Sequence, residues 1–247
     1  PMSRGFGWYG RLVTSGPMAK TVADASLLMS ILAGPDAIDP LTLPESGDYF
    51  LDALVPARCD PKNPIKVAVS EDLGTLPIES SVRSVIQNTA QIFRDLGAHV
   101  TQDHPNLDGA MEVFQTQRAA GLRTLGRNLD LAFPDWREDA KDTAIWNIER
   151  GFALTPDELL NSEQQRTKIY AAVSEFFQRH DVLALPAAQV PPFQIDQEWV
   201  SEIDGVTLDT YIDWMAVCCM ITVTGLPTLS IPAGFNSAGL PIGVQLV

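Results

Sequence analysis

The chain has 247 residues, of which 45% are hydrophobic, an ordinary content for one large globular domain or two modest ones. Its 17 Lys and Arg against 31 Asp and Glu give a net charge of −14, which argues against a nucleic-acid partner, because phosphate contacts depend on clustered basic side chains. No apolar run approaches the roughly 18–20 residues needed to cross a bilayer, so we predict no membrane span or membrane partner.

The cysteines and the two ends suggest the setting of the chain. Cys59, Cys218 and Cys219 are too few for a disulfide framework and fit a reducing compartment, so we predict a cytoplasmic protein. No apolar signal-peptide core follows Pro1. The final residues, 242–247, form an alternating apolar run typical of a strand. We therefore expect a domain truncated at both ends, a piece of a longer polypeptide.

The first predicted element is a helix over residues 21–33. Thr21 is a suitable N-cap with Asp24 three residues later, and apolar residues then recur at helical spacing. Gly34 and Pro35 are expected to end the helix. A proline-rich connection follows and runs to about Pro64.

The next segment predicts a strand–helix–strand unit. Residues 65–69 are rich in β-branched side chains, and residues 98–101 form a second short strand. Between them lies one helical stripe that Gly97 ends; it consists of Val82, Val85, Ile86, Thr89, Ile92, Phe93 and Leu96. This order implies parallel pairing of the two strands with a right-handed crossover.

The remainder alternates helices and buried strands. Residues 108–150 are helical in tendency, with Phe133-Pro134, Trp136 and Trp146 as interruptions, and a capped helix begins at Thr155. Further elements are then predicted: a strand at 181–186, a helix at 208–217 and a strand at 228–232. The expected fold is α/β, a mixed and mostly buried β-sheet flanked by helices, in a single domain over residues 1–247.

Three familiar site patterns do not meet their physical requirements. The run Gly5-Phe6-Gly7-Trp8-Tyr9-Gly10 matches a dinucleotide fingerprint in letters, but it lacks the preceding strand and the following helix. Asp103, His104 and Asp108 have no spacing that brings three metal ligands together. A thiol enzyme using Cys218 or Cys219 with His180 is disfavoured, because both cysteines lie in an apolar run. No metal or cofactor is predicted.

Two longer segments carry a family resemblance. Residues 15–25, with 32–36 and 39–40 after them, and residues 224–246 resemble the amidase signature family. Val67–Leu73 and Asp181–Pro186 fall between them in the order that this family shows. The resemblance implies hydrolysis of a carbon–nitrogen amide bond through a Ser-cisSer-Lys acyl-enzyme mechanism, a partial amidase signature fold and a small-molecule amide substrate.

The same resemblance places the catalytic residues upstream of this chain. In the family, the two serines, the lysine and a Gly/Ser-rich loop precede the segment that matches residues 15–17, and no Gly-Gly-Ser or Gly-Ser-Ser occurs here. We assign no catalytic role to Ser3, Ser15 or Lys20, and we expect the chain alone to be inactive. The missing N-terminal part of the same polypeptide is then its partner.

What this chain can supply is the wall of the substrate cavity. By resemblance, the substrate-binding residues are Trp214, Cys218, Thr222 and Gln189. Core packing is an equally good explanation for the first three, and family members often have Asn where Thr222 stands.

Three hypotheses follow. The chain is the C-terminal portion of an amidase; it is a non-catalytic ligand-binding or subunit-interaction module on the amidase scaffold; or it is a ligand-binding domain of periplasmic type. The amide substrate and the oligomeric state, including a homodimer, stay open.

Overall fold

The computed structural model describes residues 12–37, 42–54 and 60–247. The described helices are α1 (Val22–Leu32), α2 (Tyr49–Asp52), α3 (Ser80–Asp95), α4 (Ala110–Ala132), α5 (Trp136–Asp139), α6 (Asp142–Ala153), α7 (Pro156–Phe176) and α8 (Ala216–Thr224). The described strands are β1 (Lys66–Val69), β2 (His99–Gln102), β3 (Val182–Pro186), β4 (Glu202–Ile203), β5 (Val206–Thr207), β6 (Leu229–Phe235) and β7 (Pro241–Leu246).

Five strands form one mixed sheet in the order β2-β1-β3-β7-β6. β1 pairs in parallel with β2 and β3, whereas β7 pairs antiparallel with β3 and β6. Lys66 lies opposite His99, which confirms the predicted strand–helix–strand unit formed by β1, α3 and β2. The predicted fold class is confirmed, with β1 and β3 buried and the edge strands β2 and β6 more exposed.

The core lies on both faces of this sheet. β1 directs Val67 and Val69 towards α3, and it directs Ala68 towards the layer formed by α4, α7 and α8. β3 alternates in the same way, with Ala184 on the α3 side and Leu183 on the other. Side chains of successive strand residues point to opposite faces, so two apolar layers form from one short sequence. Each fully buried aliphatic side chain contributes about 1.5–3 kcal/mol.

The observed starts of α1 and α7 match the predicted ones, because a capping residue marks each of them. The Thr21 hydroxyl accepts a hydrogen bond from the Asp24 N–H at 3.1 Å, as expected of the predicted N-cap of α1. At α7, Thr155 and Glu158 form a reciprocal capping box with Pro156 at the first helical position. Both caps satisfy backbone N–H groups that a helix start leaves unpaired.

The predicted helix over residues 208–217 is wrong. Val206–Thr207 ends a short hairpin with β4, Asp213–Met215 forms a 3₁₀ turn, and α8 begins only at Ala216. Thr210 explains the delay, because its N–H and its hydroxyl both donate to the Asp213 carboxylate, at 2.7 and 3.0 Å. Such local side-chain bonds stabilise a turn in place of a helix.

The middle of the chain is more regular than predicted. α4 runs unbroken for 23 residues and ends before Pro134, as expected, but Trp146 lies inside α6. α4 and α6 cross at two glycines: a Cβ on Gly126 would overlap the Ile148 side chain, and a Cβ on Gly151 would overlap the backbone oxygen of Ala119. The two backbones therefore approach more closely than any larger residue permits.

Candidate functional site

Two residues of α8 are only half-buried. Seven of the nine residues of this helix are buried, and the exceptions are Cys218 and Thr222. Cys218 and Thr222 are four residues apart and therefore lie on one face of the helix, whereas Trp214 belongs to the 3₁₀ turn before it. The role of all three residues in substrate binding stays a prediction.

Trp214 is fixed from two sides. It belongs to the 3₁₀ turn that the Thr210–Asp213 hydrogen bonds stabilise. Its ring meets Phe193 edge to face, with centroids 5.4 Å apart. An edge-to-face pair of this kind favours one orientation of both rings, which holds Trp214 against the loop that follows β3.

That loop and Trp214 border a small open cavity of about 300 Å³ that is lined mostly by apolar groups. Residues from the loop after β3, from Trp214 and from the start of β7 line it: Ala187, Ala188, Val190, Pro191, Pro192, Phe193, Trp214, Pro241, Ile242 and Gly243. All of these side chains are uncharged and apolar. The cavity therefore suits an apolar group of a ligand, which would gain about 25 cal/mol for each Å² removed from water.

Gln189 lies behind this cavity wall and is fully buried. Its side-chain oxygen accepts the Val217 N–H at 3.1 Å, and its amide nitrogen donates to the Pro77 carbonyl at 3.0 Å. Its own carbonyl accepts the Glu79 N–H at 2.9 Å. Gln189 therefore connects the loop after β3 to the first turn of α8 and to the start of α3, whereas its neighbour Ala188 faces the cavity.

Burial opposes ionisation of both described cysteine thiols. Cys218 donates its S–H to the Ala187 carbonyl at 2.9 Å, and burial raises its pKa. Burial raises the pKa of Cys219 to about 12, with a further contribution from Cys218. A cysteine nucleophile needs a lowered pKa, so the environment opposes a thiol mechanism here. Cys59 lies outside the described residues.

The other sequence patterns give no metal or catalytic cluster in the described residues. Across residues 12–37, 42–54 and 60–247, no three His, Cys, Asp or Glu side chains are placed to hold a metal ion. Ser15 and Lys20 are exposed, and Ser3 and the glycine run 5–10 lie outside the described part. In the same described residues, no helix combines the length and apolarity needed to cross a bilayer.

A second cavity, of about 430 Å³, opens on the outer side of α7. It is bordered by Tyr170, Phe177, Asp181, Leu226 and Val247, among others. None of the four predicted binding residues borders it, whereas Trp214, though not Gln189, Cys218 or Thr222, borders the smaller cavity, so we place the candidate site there.

Comparison with known proteins settles the family. A family model described as Amidase matches residues 5–247. The chain belongs to the amidase signature family. Enzymes of this family act on carbon–nitrogen amide bonds, and the resemblance seen in the two sequence segments is confirmed.

Named relatives cover nearly all of this chain. The acylamidase of Rhodococcus erythropolis is 27% identical over 235 residues, which are 94% of this chain and 47% of that protein. An amidase of Pseudomonas putida is 28% identical over 235 residues, 91% of this chain and 47% of that protein. A glutamyl-tRNA(Gln) amidotransferase subunit of Myxococcus xanthus is 27% identical over 255 residues, 94% of this chain and 50% of that protein. The chain therefore spans about half the length of the curated relatives it matches.

Solved structures of the family have the same fold. A bacterial aryl acylamidase of the amidase signature family superposes with a TM-score of 0.81 at 23% identity, over 94% of this chain and 48% of that one. 6-Aminohexanoate cyclic dimer hydrolase gives a TM-score of 0.74 at 19% identity, over 93% of this chain and 50% of that one. At these identities the match establishes the fold.

Sequence reasoning missed two parts of the site. The aromatic wall at Phe193 and the glutamine bridge at Gln189 depend on contacts between segments far apart in the chain. Pro191-Pro192-Phe193, directly after a predicted buried strand, was the available signal for a rigid apolar loop. Nothing in the sequence distinguishes a buried glutamine from one that faces a cavity.

Proposed function

We propose that this chain is the C-terminal, pocket-forming portion of an amidase that hydrolyses a carbon–nitrogen amide bond. The observation that carries the proposal is the family match over residues 5–247 of a chain half as long as its relatives. The apolar cavity beside Trp214 supports it, together with Cys218, which bonds to the cavity residue Ala187, because that arrangement can form a wall of a substrate pocket. A cytoplasmic location is part of the same proposal.

The catalytic residues belong, in this proposal, to polypeptide upstream of the chain. The family mechanism uses a serine whose oxygen attacks the amide carbonyl carbon while its proton passes through the bridging serine to lysine. The C–N bond then breaks, the amine leaves with that proton, and water hydrolyses the ester to a carboxylic acid and free serine. In this proposal, the chain described here binds the part of the substrate that lies away from the catalytic serine, across the scissile bond.

The surface of α1 supports such a partner segment. α1 contains no buried residue, and Ile31 and Leu32 are 72% and 63% exposed. Exposed apolar patches of this kind are typical of interaction sites. We infer that the upstream part of the same polypeptide covers α1.

Upstream sequencing and expression of the longer reading frame test the proposal. We expect an encoded lysine and a Gly/Ser-rich loop with two serines. The long form should react with a fluorophosphonate probe and hydrolyse p-nitroacetanilide, whereas the 247-residue chain should do neither. A native start codon at this N-terminus, or probe labelling of the chain alone, contradicts the proposal. A stable, monodisperse chain that binds amides without an upstream catalytic segment would support the non-catalytic module instead.

Substitutions on α1 test the covering segment separately. Ile31→Lys with Leu32→Lys should destabilise the long form and leave the thermal unfolding of the 247-residue chain unchanged. Leu131→Lys on α4 is the matched control, since Leu131 is 85% exposed. Equal insensitivity of both forms to the α1 pair would show that α1 stays exposed in the long form.

A further inference from the structure

A polar cluster lies beside α8 and has no part in the cavity described above. It consists of Arg118 from α4, Asn147 from α6 and Tyr211 from the segment before α8, and is called the Arg118 cluster below. Arg118 Nη1 donates to the Asn147 side-chain oxygen, and Nη2 donates to the Tyr211 hydroxyl at 2.8 Å. Asn147 Nδ2 donates to the Tyr211 hydroxyl at 2.5 Å and to the Thr143 carbonyl at 2.6 Å.

The Arg118 cluster has hydrogen-bond donors that are not used within it. The Tyr211 oxygen accepts two hydrogen bonds, and its own O–H proton can still donate. The Asn147 oxygen accepts one hydrogen bond from Arg118, and both hydrogens of its amide nitrogen are used. Arg118 uses two of its five N–H groups, and the others remain available. In the described part of the chain, nothing accepts the Tyr211 proton.

The cluster also carries a charge that no neighbouring carboxylate neutralises. Across the described ranges 12–37, 42–54 and 60–247, no Asp or Glu oxygen lies within 4.0 Å of the Arg118 guanidinium. By contrast, Arg83 contacts the Asp72 carboxylate at 2.7 Å. Asp213, two residues beyond Tyr211, is occupied by Thr210. The chain has 31 Asp and Glu residues, but none of those described forms an ion pair with Arg118.

A neighbouring arginine on the same helix shows the contrast. Arg123 is half-buried like Arg118, but it donates to the carbonyls of Gly151 and Phe152, at 3.1 and 3.0 Å. Those carbonyls lie at the C-terminal end of α6, where the helix dipole is negative. Arg123 therefore closes a helix end, whereas Arg118 meets only neutral groups.

The position of the Arg118 cluster connects it with the candidate site. Tyr211 is three residues before Trp214, and Trp146 packs edge to face on the Tyr211 ring with centroids 6.3 Å apart. α4 packs directly on α8. The charge of Arg118 also acts on the Cys219 thiol of α8, in the direction that lowers its pKa against the larger effect of burial.

We propose that the Arg118 cluster binds one carboxylate group, and that the amide substrate carries that carboxylate. The Arg118 guanidinium, with N–H groups not used within the cluster, lies within hydrogen-bond distance of the Tyr211 hydroxyl, whose O–H can still donate, and a single positive charge matches a monoanion. The substrate part of this inference rests on the proposed amidase function. An acidic amide would then place its carboxylate at the Arg118 cluster and its apolar part against Trp214.

The binding part is tested on the 247-residue chain without turnover. The Arg118 Nε–H resonance of arginine-labelled protein is followed during titration with sodium butyrate, and with butyramide as the neutral isostere at matched ionic strength. We expect a saturable shift with butyrate alone. Arg118→Lys and Tyr211→Phe should weaken butyrate binding by about 10-fold and about 3- to 10-fold, since charge-assisted bonds are the strong ones.

Arg123→Lys is the matched control, because it alters an equally buried arginine on the same helix and should leave butyrate binding unchanged. Thermal unfolding of each variant shows whether it is folded. If butyrate gives no saturable shift, if butyramide binds equally well, or if Tyr211→Phe and Arg123→Lys have equal effects, the carboxylate site is refuted.

The substrate part needs the long form of the protein. There, Arg118→Lys should lower kcat/KM about 10-fold for an anilide whose acyl chain ends in a carboxylate, and leave the value for the uncharged methyl-ended anilide unchanged. If the long form is active but Arg118→Lys changes kcat/KM equally for both anilides, this inference is overturned and the amidase proposal is not. Butyrate binding to the chain but not to the long form would mean that a side chain of the upstream segment occupies the cluster, and would also overturn the substrate part.

Discussion

Helices α1 and α8 are built from similarly apolar sequences, but the structure treats them in opposite ways. α8 buries seven of its nine residues between the sheet and the helices α4 and α7. α1 buries none of its 11 residues and packs mainly on the short helix α2. Composition alone therefore does not determine burial; the position of the helix relative to the sheet does.

The open face of α1 has an energetic meaning. Each large aliphatic side chain left in water forgoes about 1.5–3 kcal/mol of burial, and α1 carries several of them, including Val22 and Ile31. Residues of α8 have already gained this stabilisation. The contrast is consistent with the proposal that an upstream segment covers α1, and the following measurements test the contrast.

The largest effect is expected from a matched pair of isoleucines. Ile221 of α8 is 3% exposed, whereas Ile31 of α1 is 72% exposed. Ile221→Ala should lower the free energy of unfolding by about 2–5 kcal/mol, through lost burial and a residual cavity. Ile31→Ala should change it by less than about 0.5 kcal/mol. Urea unfolding of both variants measures the difference, and losses of similar size would show that α1 is packed in the chain alone.

A second effect concerns how the first turn of α8 is anchored. Gln189→Ala leaves the Val217 N–H and the Pro77 carbonyl without partners. We expect a loss of about 2–4 kcal/mol in the free energy of unfolding, because buried unsatisfied groups are costly. Gln91→Ala, on the solvent side of α3, is the control. A stable Gln189→Ala chain, combined with a raised KM in the long form, would instead make Gln189 a substrate-contacting residue.

Thiol reactivity gives a third test of α8 burial. Since burial raises the pKa of Cys219 to about 12, the thiolate should be scarce in the folded chain up to strongly alkaline pH. Alkylation of the peptide containing Cys218 and Cys219 by iodoacetamide at pH 8 should be on the order of 100-fold slower in the folded chain than in urea. Peptide mass spectrometry measures both rates. Rapid labelling of the folded chain would show that this face of α8 opens readily.

The smallest effect is a pH dependence at the start of α7. Hydrogen bonds from Thr155 and Arg150 lower the pKa of Glu158 from 4.5 to about 2. A depressed pKa in the folded chain contributes stability above about pH 4.5 and loses it as the pH falls towards 2. Glu158→Gln should remove this slope in thermal unfolding. Glu198→Gln removes an exposed loop carboxylate and should keep it; identical pH profiles for both variants would contradict the assignment.

Sequence patterns predicted the elements whose structure depends on local signals. The stripe at Val82, Val85 and Ile86 predicted α3, and Thr155 predicted the start of α7, because periodicity and caps are local. Sequence patterns failed at 208–217, where the Thr210–Asp213 bonds replace a helix by a turn. The Arg118 cluster could not be foreseen, since its three members come from positions 118, 147 and 211 and meet only after α4, α6 and α8 have packed.

The close crossing of α4 and α6 at two glycines has a consequence for the geometry of the Arg118 cluster. Arg118 and Asn147 sit on those two helices, and the gap between the helices is set by hydrogen atoms at Gly126 and Gly151. A methyl group at Gly151 would overlap the backbone of α4, and one at Gly126 would displace the Ile148 side chain, although neither glycine belongs to the cluster. The distance between the Asn147 amide and the Arg118 guanidinium therefore depends on residues outside the cluster.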